Sequence, residues 1–197
     1  TIAKNFSDDA KLVFGLVRIS SQETTFASLQ STEFASVIGV GVATHQFGVP
    51  TMCNGANLAF RKSVFEEVNG YEGNTHIPSG DDVFLLKKIS AAYPDGIRFA
   101  PDQEAIVDTA PLGTFRDFTF QRIRWAGKWK VKTSLLTKCM AIFVFLINLI
   151  AISFPFLIVF RYIAVEVVIA LILLRGTIDR IFLKRMSSYL QLAWKLP

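Results

Sequence analysis

The stretch FTFQRIRWAGKWKVK, residues 118–132, decides how this chain is read. It carries two tryptophans, a glutamine and five basic residues, and it lies directly upstream of a long apolar run. In a helix, Gln121, Arg124 and Trp125 fall at i, i+3 and i+4, so an amide, a guanidinium and an indole share one face. Two readings fit that face. Trp at headgroup level with Arg and Lys reaching toward phosphates makes a membrane-surface anchor. The same trio can also hold a charged group beside a flat stacking surface.

Downstream, Cys139 to Phe160 (CMAIFVFLINLIAISFPFLIVF) contains no formal charge over 22 residues. As a helix it measures about 33 Å, which matches a hydrocarbon core of roughly 30 Å. A first transmembrane helix is expected over 139–160. A second, roughly 162–183, is shorter in apolar length, carries Glu166 and runs on toward Arg175, Asp179 and Arg180. Pro155 and Arg161 both suit the break between them.

The chain has 197 residues and a net charge of +5, and the location of the charge matters more than its size. From Arg116 to Lys138 there are seven basic residues against one acid, Asp117. By the positive-inside tendency this places the soluble part in the cytoplasm and the chain in the cell's inner or plasma membrane. A basic cluster that abuts a span points to lipid, so nucleic acid is set aside as a partner. Cys53 and Cys139 are too few for a disulfide framework and fit a reducing compartment.

Before the apolar run, short strand-like and helix-like segments alternate, which predicts an α/β domain with a partly parallel sheet. KLVFGLVRI (11–19) reads as one buried strand. The apolar spacing of Phe26, Leu29, Phe34, Val37 and Ile38 predicts a helix that ends near Gly39 or Gly41. Asn54-Gly55 is a turn signal and ANLAFR a strand. Ser63 with Glu66, and Ser79 with Asp82, each have capping-box spacing, and Gly70 closes the first of these two helices. Asp81 and Asp82 therefore have a plain structural explanation, acids at a helix start. They also have a chemical one, a carboxylate presented at a turn as a general base.

The three stretches CNGANLAFRK, SGDD and QRIRW, in that order before a membrane-length helix, resemble the C-terminal half of a family 2 inverting glycosyltransferase. The membrane-embedded group of cellulose, chitin and hyaluronan synthases is the one resembled. The resemblance covers roughly Phe34 to the first span. It implies a partial GT-A-like domain over 1–134, the acceptor side, followed by a transmembrane region over 135–197.

By that resemblance Asp82 is the catalytic base, Gln121 and Arg124 bind the donor diphosphate, and Trp125 stacks beneath the acceptor sugar. Asp81, Asn54, Gly55, Asn57 and Arg61 fall in the motifs implied to line the acceptor side. The implied partners are a nucleotide-sugar donor, a carbohydrate or lipid-linked acceptor, and membrane lipid.

Two departures stand out. The acidic motif reads Gly-Asp-Asp where the family more often has Glu before the last Asp. No D-x-D sequence occurs, so the Mg²⁺ or Mn²⁺ expected with the donor diphosphate has no ligands in this chain, which reads as a fragment without the nucleotide-binding half. The expected activity is inverting sugar transfer at the cytoplasmic membrane face, in polysaccharide synthesis. Single addition to a lipid acceptor and a non-catalytic, membrane-tethered carbohydrate-binding subunit are the alternatives.

Overall fold

The computed structural model describes residues 1–20, 24–73, 79–127 and 135–192. The basic residues Lys128, Lys130 and Lys132 and the second tryptophan of the opening stretch, Trp129, lie outside them. The chain divides into two compact units, Thr1–Lys128 with Arg185–Pro197, and Trp129–Lys184.

In the first unit KLVFGLVRI forms two strands, β1 (Leu12–Gly15) and β2 (Val17–Ile19), where the sequence predicts one. The break is at Leu16, whose carbonyl accepts both the Asn57 side-chain amide at 2.8 Å and the Val107 N–H at 3.1 Å. β1 is the centre of a three-stranded sheet between β3 (Leu58–Phe60), antiparallel, and β4 (Ile97–Ala100), parallel. β2 pairs in parallel with β5 (Val107–Thr109). The partly parallel α/β expectation is met in a mixed form.

Helix α1 (Thr25–Gln46) is capped by Thr24, whose hydroxyl accepts the Ala27 N–H at 3.1 Å. It runs through Gly39 and Gly41 and does not stop there. A methyl group on Gly41 would lie 3.0 Å from Met52 Cγ and 3.2 Å from Met52 O, so this glycine serves a close approach of chain. The helix ends at Gly48, which takes φ +75°, while Val49 N–H returns to Thr44 O at 2.9 Å. That is the left-handed glycine stop that closes many helices.

Both expected capping boxes shift. Helix α2 (Lys62–Glu67) starts after Arg61, so Ser63 is already inside it. Helix α3 (Asp81–Ala92) starts after Gly80 at φ +97°, a conformation that suits glycine and not Ser79. Gly70 follows Asn69 in the left-handed turn that closes α2, with its N–H on Phe65 O at 2.8 Å. Leu12, Phe14, Val64, Leu85, Leu86, Ile89 and Ile97 pack α2 and α3 onto the three-stranded sheet. Each fully buried leucine there contributes about 1.5–3 kcal/mol. Val17 and Ile19 pack on Phe34 of α1.

Helix α4 (Phe115–Ala126) carries the QRIRW motif and is capped by Thr114, which accepts the Asp117 N–H at 3.1 Å and donates to its carboxylate at 2.7 Å. The second unit holds helix α5 (Leu135–Val159) and most of α6 (Val165–Leu190). Within α5, Lys138–Val159 has mean hydropathy 2.7 and is long and apolar enough to cross a membrane. Among the described residues α6 does not reach that standard, since it carries Glu166, Arg175, Asp179, Arg180, Lys184 and Arg185. Pro155 sits inside α5, and the break falls at Arg161, which takes φ +57°. Arg175 reaches from α6 to Asn148 Oδ1 of α5 at 3.0 Å.

Candidate active site

Asp82 stands at the second position of α3, and its carboxylate is held from two elements. Oδ2 accepts the Gly55 N–H at 3.0 Å and Oδ1 accepts the Val83 N–H at 2.7 Å. Cys53 Sγ lies 3.4 Å from the Asp82 carbonyl oxygen. The CNGAN loop and the acidic pair, 27 positions apart in sequence, are therefore one constellation. Asn54 shapes the loop by accepting the Ala56 N–H at 2.9 Å, which starts the short 3-10 turn Gly55–Asn57.

The loop's position follows from Asn57, which is 5 % exposed. Its amide donates to Leu16 O at 2.8 Å and to Ala105 O at 2.7 Å, fastening the turn just beyond the end of β1. Because β1 and β4 run parallel and end together at Gly15 and Ala100, Asp82 is held to a loop at their carboxyl ends. Ligand sites of open α/β sheets occur at such ends.

The acceptor-side residues expected from the sequence separate accordingly. Asp81, Asp82, Asn54 and Gly55 come together, and Asp81 is exposed. Asn57 joins them as a buried fastener with its amide on two carbonyls. Arg61 does not join them: it follows β3, beside Lys11 at the start of β1, where its N–H pairs with Lys11 O at 3.0 Å. Its guanidinium donates to Ala10 O at 2.7 Å and Ser7 O at 2.9 Å, tying down the chain's first residues.

Gln121, Arg124 and Trp125 share a face of α4 as the spacing predicts. Trp125 is half-buried, with Phe34 of α1 at 6.3 Å between ring centroids and the Arg122 guanidinium 4.2 Å from its ring. Arg124 is exposed and makes no ion pair among the described residues. Arg122 donates to the Gln121 amide oxygen and grips Glu33 of α1 in a two-pronged pair, with Nε on Oε1 at 2.9 Å. The motif reading passes over both Arg122 and Glu33. The available signal was Glu33 itself, the sole acid in α1.

Helix α1 thus touches both halves of the site. Glu33 and Phe34 meet α4, and two turns on, about 10 Å by helical rise, Gly41 meets Met52, the residue before Cys53. Among the described residues no three His, Cys, Asp or Glu side chains converge to hold a metal ion. The described residues of this site do not fit a cation. What they present is a fixed carboxylate in one place, and a guanidinium, an amide and an indole in another.

No curated protein and no solved structure gives a significant match to the chain. The model of one family does, the one described as glycosyl transferase family group 2, and it matches residues 2–193. With nearly the whole chain covered, this protein belongs to glycosyl transferase family group 2 and is a glycosyltransferase.

Proposed function

We propose that the enzyme transfers a sugar from a nucleotide-sugar donor with inversion, and that Asp82 is the general base. The carrying observation is the carboxylate's fixation by two backbone N–H groups from different elements, Gly55 and Val83, at the carboxyl ends of β1 and β4. An acceptor hydroxyl is a weak nucleophile at neutral pH. Asp82 takes its proton as the oxygen bonds to the donor's anomeric carbon, and the nucleoside diphosphate departs from the opposite face with the electrons of the broken C–O bond.

Gln121 and Arg124 would meet the diphosphate, where a guanidinium suits paired oxyanion contacts as negative charge grows on the leaving group. Support comes from Arg124 being exposed and from Gln121 having its carbonyl oxygen oriented by Arg122. Trp125 would contact the acceptor, with Asp81, Asn54 and Gly55 closer to the reacting hydroxyl. A divalent cation accompanying the donor would rely on ligands other than the described residues.

The setting we propose is the cytoplasmic face of a membrane, with a carbohydrate or lipid-linked acceptor, in the manner of polysaccharide synthases. The apolar length of Lys138–Val159 and the basic excess before it support that setting.

The test is Asp82→Asn in the full chain. The amide keeps an oxygen for the Gly55 N–H, gives up the acceptor of the Val83 N–H and cannot take the proton, so transfer should fall about 10²–10⁴-fold while the melting temperature drops only modestly. Turnover within a few-fold of wild type by the folded variant would remove Asp82 from the role.

A further inference from the structure

Between α2 and the acidic pair runs the turn of residues 69–73, and one side chain pins it. Lys88 Nζ donates to the carbonyl oxygens of Asn69 at 3.2 Å, Gly70 at 2.8 Å and Glu72 at 2.8 Å. An ammonium has three donors, and all three are spent on this one turn. Lys88 lies seven residues after Asp81 on α3, which returns to within about 20° of the same helical face. The pinned turn therefore lies along the face of α3 that begins with Asp81.

Tyr71 sits in the middle of that turn, and its ring is fixed from behind. Phe65 meets it edge-on at 5.0 Å between centroids, and Phe65 is itself stacked on Phe60 at 5.3 Å. Gly70 permits the arrangement: it takes φ +38°, and a methyl group there would lie 2.4 Å from Phe65 Cζ. Tyr71 still keeps 39 % of its surface exposed. Burial, and after it the negative charges of Asp81 and Asp82, push its phenol up from the ordinary value, so the hydroxyl stays protonated. Trp125, by contrast, has Phe34 and Arg122 packed against its indole.

We propose that Tyr71 forms an acceptor-sugar subsite beside Asp82, its exposed ring covering a pyranose face and its hydroxyl bonding a sugar oxygen, with Lys88 as the positioning residue that holds the Tyr71 turn. A flat apolar ring with a polar tip is the side chain that suits a sugar, whose C–H face is apolar and whose rim is polar. The inference rests on the reading of Asp82 as base, because the subsite is placed by the α3 face that begins with the acidic pair. Tyr71 would bind and orient, leaving proton transfer to Asp82.

The experiment separates the two claims. Membranes carrying the full chain are assayed with UDP-glucose, UDP-N-acetylglucosamine and GDP-mannose as donors and the matching methyl glycosides as acceptors, and the best wild-type pair is used. Tyr71→Ala should raise the acceptor KM about tenfold, equivalent to about 1.4 kcal/mol, while donor KM and donor hydrolysis by water stay within about twofold. Lys88→Met should raise acceptor KM in the same direction with kcat little changed. If Tyr71→Ala folds poorly, Tyr71→Leu, which retains an apolar contact with Phe65, is read in its place.

An acceptor KM that stays within about twofold in these variants, or donor KM moving equally, would overturn the subsite. So would the absence of transfer to every methyl glycoside. Asp82→Asn reports on the base alone: full turnover there together with a raised acceptor KM in Tyr71→Ala would sink the base and leave a sugar platform.

Discussion

Arg122 of α4 and Glu33 of α1 form a two-pronged ion pair, and the same guanidinium lies over the rings of both Phe118 and Trp125, 4.4 Å and 4.2 Å away. The pair fixes the helix that carries Gln121, Arg124 and Trp125 onto α1. Paired and stacked guanidinium geometry is specific to arginine. In a double-mutant cycle, Glu33→Gln and Arg122→Met should show a coupling of about 1–2 kcal/mol in thermal or urea unfolding. Arg122→Lys should recover only part of it. Additive effects of the two substitutions would mean that the pair does not hold α4.

The Gly55 N–H is predicted to orient the base. Gly55 is the first residue of a short 3-10 turn and follows an extended Asn54, so Gly55→Pro fits the backbone dihedrals, removes the donor to Asp82 and puts a ring methylene where the carboxylate oxygen sits, pushing the base out of place. A hydrogen bond to a charged group contributes about 1.5–3 kcal/mol, and kcat should fall at least about tenfold with a small change in melting temperature. Gly55→Ala, whose methyl would meet Asp82 Cβ at an ordinary 3.5 Å, is the matched control and should retain activity.

Asn57 should prove structural when stability is measured. Asn57→Leu strands the Ala105 carbonyl oxygen and leaves Leu16 O with the Val107 N–H alone, and should cost about 1–3 kcal/mol. Gly15→Ala should destabilise through the same contact, because its methyl would lie 2.4 Å from Asn57 Nδ2. Equilibrium unfolding monitored by circular dichroism reads both.

His45 should make stability fall toward acid. Burial first, and then the positive charge of Arg98, hold its folded pKa below the ordinary value, and its ring meets Phe14 edge-on at 5.3 Å. As pH drops through about 6.5, the unfolded chain takes up a proton that the folded chain refuses. The stabilisation is thus full above that pH and declines below it until the folded imidazole also protonates. Melting temperature against pH should show this slope, and His45→Gln should flatten it.

Membrane topology can be tested apart from catalysis. With Cys53 and Cys139 replaced by serine, Gly113→Cys, an open position with no neighbour against an added methyl, should resist a membrane-impermeant maleimide in intact cells. Tyr162→Cys, in the exposed break between α5 and α6, should react. The reverse pattern would place the basic excess on the outer side and contradict the proposed setting.

The sequence by itself determined what depends on neighbours along the chain. The alternation of segments marked an α/β domain, the i, i+3, i+4 spacing put Gln121, Arg124 and Trp125 on one helical face, and the uncharged run after Lys138 marked a helix of membrane length. The order of three short motifs pointed to the glycosyltransferase family. Each of these is a matter of helical or strand period, of composition or of motif order, and none requires knowing what lies across the fold.

Tertiary structure decided what depends on partners far away in sequence. Leu16 breaks an apolar run that reads as one strand because its carbonyl is claimed by Asn57, 41 positions on. Gly41 lies inside a helix, at a point where Met52 passes too close for a larger residue, while Gly48 takes the left-handed φ that ends it. Ser79 matched a capping box by spacing, yet the left-handed φ at Gly80 starts α3 one residue later and leaves the Asp82 carboxylate to the Gly55 N–H. Arg61 lay within the same motif as Gly55 but follows the far end of β3, since a strand carries its two ends apart at about 3.3 Å per residue. Spacing along the chain fixes which residues share a local face; hydrogen bonds and close packing between distant segments fix which faces meet.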